Sequence, residues 1–348
     1  EIAQCLVGSE MCIRDSYSLL WHLLYSTIFI YQIEKNMESQ KPKIAMYVKR
    51  PFGEKLNASF DFIKENWKQL FKYSTYLILP ICLIQAANFS GLMGSMTDIT
   101  AMQASGGISD NPLAALGPSF ALNYAGVIFF SCLGALLMTS LIYAMVRLYN
   151  EREERLSGIV FGDIKSLLLR NIKRLFLMGI ACSFLFIFAV IFIVLLAVLT
   201  PFTLILTIPL LFAFMVPLAL MAPIYLFEDI SLGEAFAKTF RLGFATWGGV
   251  FLILIVMGII ASVLQGIVSI PWYVIYIVKM IFTMSDGGAT SSSVGLNFAQ
   301  YLFSILMLYG SYLSAIFGIV GLVYQYGHAS EVVDSITVES DIDNFDKL

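Results

Sequence analysis

Six long apolar stretches constrain this chain more than any other feature of its sequence. They occupy residues 69–90, 120–147, 175–199, 201–227, 248–270 and 298–327. About 20 apolar residues suffice for a helix to cross the hydrocarbon core of a bilayer. Only helices and closed barrels satisfy the backbone there, and continuous apolar runs without a two-residue alternation favour helices. The sequence therefore predicts an all-α integral membrane protein with six transmembrane helices.

The composition supports a lipid environment. Of the 348 residues, 59% are hydrophobic and 13% are charged. Soluble domains are typically about 45–50% apolar and about 25% charged. This balance excludes a disordered chain, a collagen, a coiled coil and a small disulfide-rich secreted domain. The net charge of −3 gives no indication of a nucleic-acid partner.

The basic residues predict the orientation of the spans. They cluster before the first span, between the second and third, and between the fourth and fifth. The other three connections contain no Lys or Arg apart from Lys279, near the end of the fifth span. Because Lys and Arg favour cytoplasmic loops, we expect both termini on the cytoplasmic side of the membrane.

Both ends of the chain lie outside the predicted membrane domain, which covers residues 53–328. Residues 1–16 resemble a translated sequencing adapter, so residues 1–36 are interpreted as an artefact or translated upstream sequence; a genuine extra membrane segment over 17–36 is the alternative. Residues 37–52 are then a cytoplasmic segment, and residues 329–348 an acidic cytoplasmic tail.

A short motif occurs twice, 180 residues apart. Gly53, Glu54, Phe60 and Trp67 in the first copy match Gly233, Glu234, Phe240 and Trp247 in the second. A weaker third copy begins at Gly162-Asp163. Every copy precedes two apolar stretches, which predicts three parallel repeats, each an amphipathic helix followed by a helical hairpin.

Each copy has the apolar spacing of an amphipathic helix. In the first copy, apolar residues recur at steps of three or four, and Lys64, Lys68 and Lys72 share the opposite face. These segments are predicted to be helices in the cytoplasmic interface, in contact with lipid headgroups. Ser231 and Glu234 fit a capping box. The acids of the motif are interpreted as helix-start residues, with a ligand role as the alternative.

Amide side chains gather near the outward ends of the spans. Gln85, Asn88, Asn123, Gln265 and Gln300 could line a polar vestibule that binds a small polar molecule or a lipid headgroup. The alternative is that span ends are polar because they meet water. The fourth span carries Pro209, Pro217 and Pro223 and is expected to be kinked or locally unwound, a feature of some transporter sites.

The stretch 222–247 carries a resemblance to a known family. An acid at the end of a span, Glu228, is followed by Glu234-Ala235, Phe236, Thr239 and Trp247. This pattern resembles the polytopic membrane domain attached to some glycerophosphoryl diester phosphodiesterases and related uncharacterised six-span bacterial proteins. The resemblance implies a six-span membrane module over residues 45–328, located in the inner, or cell, membrane of a bacterium. It does not imply the phosphodiesterase activity, which needs a separate barrel with acidic and His residues.

The predicted function follows from the absence of catalytic motifs in the sequence. The sequence shows no phosphate loop, nucleophile elbow or metal-ligand cluster, and it has only two His residues. We expect no enzymatic activity and no cofactor, with membrane lipids or unidentified proteins as partners. The predicted function is a membrane module that organises lipid or partner proteins. The alternative is a transporter or permease for a small polar or lipid substrate, and a membrane-embedded lipid enzyme is the least favoured.

Overall fold

The computed structural model describes residues 42–104, 117–200, 202–285 and 294–337. Within these ranges the chain forms eight helices and no strand. The helices are α1 (Phe52–Ala104), α2 (Pro118–Glu151), α3 (Phe161–Leu199), α4 (Thr203–Leu218), α5 (Met221–Phe227), α6 (Leu232–Ala245), α7 (Trp247–Ser285) and α8 (Val294–Val333). The adapter-like residues 1–16, the segment 17–36 and most of the acidic tail lie outside the described residues.

Six helical segments are long and apolar enough to cross a membrane, as the sequence predicted. They are Phe52–Thr97, Pro118–Glu151, Phe161–Val198, Thr203–Phe227, Trp247–Phe282 and Val294–Val333. Each contains the greater part of one predicted stretch. The most apolar 18-residue window of the third segment has no buried residue, and Phe188 is 73% exposed. Exposure of apolar side chains to water is unfavourable in free energy. A large apolar exterior therefore indicates that lipid surrounds these helices.

The described part of the unit 45–348 packs mainly around α1, α2 and α8, with α7 against α8 and α3 against α2. Its largest buried side chains include Phe62, Tyr149 and Tyr324, and the ring of Phe62 lies 5.1 Å from that of Tyr149. This aromatic core joins the start of α1 to the ends of α2 and α8. We call this region, where α3 and α6 also begin, the basic end, because most Lys and Arg residues lie here.

The fourth span is broken where the sequence predicted a kink or an unwound segment. Helix α4 ends at Leu218 and α5 begins at Met221, with a turn between them. Pro223 explains the break between α4 and α5. Proline has no backbone N–H to donate to the carbonyl four residues earlier, and its ring clashes with that carbonyl. That carbonyl belongs to Ala219, within the turn.

The amphipathic segments differ from the expected separate helices. Residues 53–68 are the beginning of the 53-residue helix α1, and residues 162–174 are the beginning of α3. Only the third segment, α6, is a helix of its own, which ends at Ala245 and is separated from α7 by the turn residue Thr246. No Gly or Pro interrupts α1 between Gly53 and its apolar stretch, whereas Gly248 and Gly249 follow the turn at Thr246 and lower the helix propensity of the first turn of α7.

Candidate functional site at the basic end

The three motif segments bury side chains at matching positions. Counted from the glycine–acid pair, the positions are Lys55, Ser59, Phe62 and Asn66 in α1, Ile164, Leu168, Asn171 and Leu175 in α3, and Ala235, Thr239 and Leu242 in α6. Steps of three and four keep these residues on one helix face. The face that contacts the rest of the protein is therefore set at the same register in all three segments.

Side-chain hydrogen bonds also match between the first and third segments. The Ser59 hydroxyl donates to the carbonyl of Lys55 at 2.8 Å, and the Thr239 hydroxyl donates to the carbonyl of Ala235 at 2.7 Å. Two turns later, Asn66 and Thr246 donate to the carbonyls four residues before them, both at 2.9 Å. These four side-chain donors of the first and third segments thus bond to carbonyls of their own segment.

The opposite faces are exposed and combine aromatic with basic side chains. Trp67 is 55% exposed and Phe71 is 49% exposed, and both alternate along α1 with the exposed Lys68 and Lys72. On α3 and α6, Phe176 and Phe244 are similarly exposed. A row of aromatic and basic side chains is typical of a surface at the boundary between lipid and water.

The acids of the motif act at the starts of their helices. The Glu234 carboxylate accepts a hydrogen bond from the Ser231 N–H at 2.9 Å, and the Ser231 hydroxyl accepts one from the Glu234 N–H at 3.4 Å. This confirms the predicted capping box. The backbone N–H of Ser231, aided by its hydroxyl, lowers the pKa of Glu234. Asp163 accepts from the Val160 N–H at 3.1 Å, whereas Pro51 has no N–H to offer Glu54.

The remaining motif residues occupy packing or surface positions. Gly53 and Gly233 are exposed, and the Phe60 ring packs 6.0 Å from that of Phe317 on α8. The Phe240 ring lies 5.9 Å from that of Phe214 on α4. Trp247 Nε1 donates to the carbonyl of Ala213 at 3.0 Å, which joins α7 to α4. The matching Trp67 is more exposed, so the two tryptophans differ in their surroundings.

A lysine between two acids joins α6 to α8. Lys238 Nζ lies 2.7 Å from a carboxylate oxygen of Glu228 and 2.7 Å from one of Asp334. Arg241 also pairs with Asp334 at 2.6 Å, and the Tyr326 hydroxyl donates to Glu228 at 2.8 Å. Burial disfavours the charge on Lys238, but the hydrogen bonds to Asp334 and Glu228 outweigh burial and raise its pKa.

Three arginines surround one aspartate beside this network. Arg147 and Arg170 each lie 3.2 Å from Asp229, and Arg174 lies 3.7 Å from it. The Arg174 guanidinium also stacks 4.0 Å from the centre of the Tyr225 ring. Among the described residues, Arg170 Nε and Nη2 and Arg174 Nε are buried and have no hydrogen-bond partner. The cluster therefore has more donors than acceptors.

Lys55 is a buried cation that the sequence analysis overlooked. It is 3% exposed, and its Nζ donates to Gln325 Oε1 at 2.8 Å. Gly249 makes room for this pair, because a Cβ there would lie 3.0 Å from the Gln325 amide and 3.1 Å from Lys55 Nζ. The sequence contained one signal for this burial. Steps of four and three residues place Lys55 on the same helix face as Ser59 and Phe62, which is the buried face of α1.

A groove of about 610 Å³ lies between α1 and the start of α3. Its lining consists of Phe71, Lys72, Tyr73, Thr75, Tyr76, Ile159, Val160 and Phe161. The Tyr73 hydroxyl donates to the carbonyl of Ile159 at 2.6 Å, which fixes the loop before α3 against α1. No motif in the sequence predicted this groove, since it forms only where two distant segments meet.

The predicted outward amides form two groups. In the first, Gln85 donates to the Ser131 hydroxyl at 2.7 Å and accepts from the Tyr312 hydroxyl at 2.9 Å. The amide groups of Asn88 and Asn123 lie against Gly126 and Gly91 respectively, where α1 and α2 approach closely. These contacts join α1, α2 and α8.

The second group joins α7 to α8. Gln265 Nε2 donates to the carbonyl of Met307 at 3.1 Å, and Gln300 Oε1 accepts from Lys279 at 3.0 Å. In both groups, several of the amides form hydrogen bonds between helices, which explains their polar character by packing. A ligand role for the five residues remains a prediction. Among the described residues, no group of three or more His, Cys, Asp or Glu side chains is placed to hold a metal ion.

Comparisons with protein-family models, curated proteins and solved structures give no match for this chain. The class of protein is therefore defined by its own fold: an all-helical chain with six helices able to span a membrane.

Proposed function

We propose that this chain is a non-enzymatic bacterial membrane module that organises lipid or partner proteins, and that it does so by binding and ordering anionic lipids at the cytoplasmic leaflet. The observation that carries the proposal is the common register of the three motif segments. Because each segment turns the same positions inward, each leaves a face of basic and aromatic side chains at one level of the bundle.

The charges of this surface suit lipid phosphates. Lys68 and Lys72 are exposed at the start of α1, and Lys165 and Lys173 are exposed at the start of α3. Each basic residue close to an anionic membrane surface contributes about 1 kcal/mol of attraction. Aromatic neighbours such as Trp67 favour the interface through their partly polar rings. The three segments would form parallel repeats with both termini in the cytoplasm.

The resemblance to the membrane domain of glycerophosphoryl diester phosphodiesterases is compatible with this proposal. That resemblance concerns a six-span module whose catalytic part is a separate domain. A lipid-organising role requires the membrane module alone. The role therefore needs no acid–base pair within the spans.

The test is lipid enrichment around the purified full chain. We would reconstitute it in vesicles of equal parts phosphatidylglycerol and phosphatidylcholine, extract it gently and quantify the lipids that remain bound. We expect phosphatidylglycerol to be enriched, and the enrichment to fall when Lys64, Lys68, Lys165 and Lys173 are all replaced by Gln. An unchanged lipid ratio in the wild type would overturn the proposal.

The transporter remains the second candidate because of the broken fourth span. The turn between α4 and α5 places irregular backbone within a candidate span, a feature of many transport sites. Saturable uptake of a solute into vesicles, abolished by joint replacement of Gln85, Asn123 and Gln265, would favour transport over lipid organisation. Loss of folding in that variant would show in its circular dichroism spectrum.

A further inference from the structure

The groove between α1 and α3 lies where a lipid headgroup would be. Lys72 is the last charged residue of α1 before the uncharged residues 73–97. At a rise of 1.5 Å per residue these 25 residues extend about 37 Å, which exceeds the roughly 30 Å thickness of the hydrocarbon core. Lys72 therefore marks the membrane boundary at the basic end, and the groove beside it opens at the level of lipid phosphates.

The walls of the groove are suited to an acyl chain. Tyr76 is 71% exposed and its ring lies 5.6 Å from that of Phe161. Val160 is 64% exposed on the same side. The volume falls within the range of about 300–1,000 Å³ that is typical of small-molecule sites. The hydrogen bond from Tyr73 to Ile159 holds both walls together, so the groove exists before any ligand binds.

The charge at its rim is suited to a phosphate. Lys72 Nζ lies 5.2 Å from the centre of the Tyr73 ring, and none of the ion pairs among the described residues involves Lys72. Asp163 is the acid near this region, and its charge is already compensated by Arg152 at 3.0 Å. An anion beside Lys72 would thus meet a cation that has no acidic partner.

We propose that this groove binds one anionic phospholipid, with its phosphate beside Lys72 and the upper part of an acyl chain packed against the contacting rings of Tyr76 and Phe161. The proposal rests on the proposed lipid-organising function and specifies a single site for it. Lipid in contact with the rest of the bundle would exchange freely, whereas the lipid in the groove would be retained.

The test is native mass spectrometry of the full chain after reconstitution in vesicles of equal parts phosphatidylglycerol and phosphatidylcholine. We would compare Lys72→Gln, which removes the charge, and Val160→Trp, which adds bulk at the wall. Lys49→Gln and Leu169→Trp are matched controls, because both residues are exposed and lie outside the groove. We expect the wild type and the controls to retain one phosphatidylglycerol, and both groove variants to retain at least fivefold less.

Each other outcome has a definite meaning. If the wild type enriches phosphatidylglycerol and the groove variants retain it equally well, the groove proposal is overturned and the proposed function stands. If the wild type shows no enrichment, both fail. Stabilisation of the wild type by inorganic phosphate, lost in Lys72→Gln and without lipid retention, would identify free phosphate as the ligand and overturn the lipid. A dimer that Val160→Trp dissociates would assign the groove to a second copy of the chain.

Discussion

Lys238 shows how single side chains hold the basic end together. Its ammonium contacts Glu228 and Asp334, and the three side chains are between 14% and 20% exposed. Partial burial strengthens these contacts because less water screens the charges. Removal of the lysine would leave the partly buried Glu228 carboxylate without its cation and Asp334 with Arg241 alone, which is worse than removal of the whole group of charges.

We predict that Lys238→Met lowers the free energy of unfolding by about 1.5–3 kcal/mol, the usual value of hydrogen bonds to charged groups. Unfolding of the full chain in a detergent titration would measure it. Lys173→Met is the control, since Lys173 is exposed and forms none of the ion pairs among the described residues. Equal stability of the two variants would contradict the prediction.

Glu234 makes a pH-dependent contribution at the start of α6. The Ser231 N–H holds the folded pKa of Glu234 below its ordinary value of 4.5. A group with a lowered folded pKa stabilises the fold above its unfolded pKa, and this stability is lost as the pH falls through the folded value. We expect amide exchange in the first turn of α6, corrected for its intrinsic rate, to accelerate over that acidic range.

The matched variants for this prediction are Glu234→Gln and Glu54→Gln. The first should remove the pH dependence of exchange in the first turn of α6. The second should not affect α1 in the same way, because Pro51 offers no N–H to Glu54. A pH dependence that persists in Glu234→Gln would show that another group titrates there.

At the scale of helices, close approach depends on a few glycines. A Cβ at Gly243 would lie 2.6 Å from the Cβ of Pro217 and 2.7 Å from its Cα, so α6 rests directly on the backbone of α4. Gly258 in α7 has nothing within 4 Å of such a Cβ. The sequence alone gives no means to tell these two glycines apart.

We predict opposite effects of alanine at these two positions. Ala is favoured over Gly in a helix by about 1 kcal/mol, so Gly258→Ala should be neutral or stabilising. Gly243→Ala should destabilise by about 1–3 kcal/mol, because an extra group in a close-packed contact forces a backbone shift. Thermal unfolding in detergent would measure both. Stabilisation by Gly243→Ala would show that α4 and α6 are not in contact.

The periodicity of apolar residues predicted the positions of the helices better than it predicted their boundaries and partners. The apolar stretches predicted the positions of six long helices, and Ser231 with Glu234 predicted the start of α6. The boundary between an interfacial segment and a span was not predictable for α1, because no Gly or Pro lies between Gly53 and the start of its apolar stretch. The amides were predicted as an outward group, but their partners, such as Tyr312 for Gln85, come from distant helices.

For the whole molecule, the distribution of charge predicts a single topology. Lys64 and Lys173 lie at the basic end, and the exposed Asn297 lies near the start of α8. We would introduce a single Cys at each position in a background where the native Cys residues are Ser. An impermeant thiol reagent should label position 297 in intact cells and positions 64 and 173 only after lysis. Labelling of 64 and 173 from opposite sides would contradict the six-span arrangement.

The sequence by itself determined that six helices of this protein are long and apolar enough to cross a membrane, and which segments carry most of its basic residues. These properties follow from local composition, since about 20 consecutive apolar residues are enough to specify a membrane helix. The tertiary structure alone decided that Lys55 is buried, that Asp229 is shared by three arginines and that a groove lies beside Lys72. Each depends on which faces of distant helices meet, and helical periodicity identifies a face without identifying its partner.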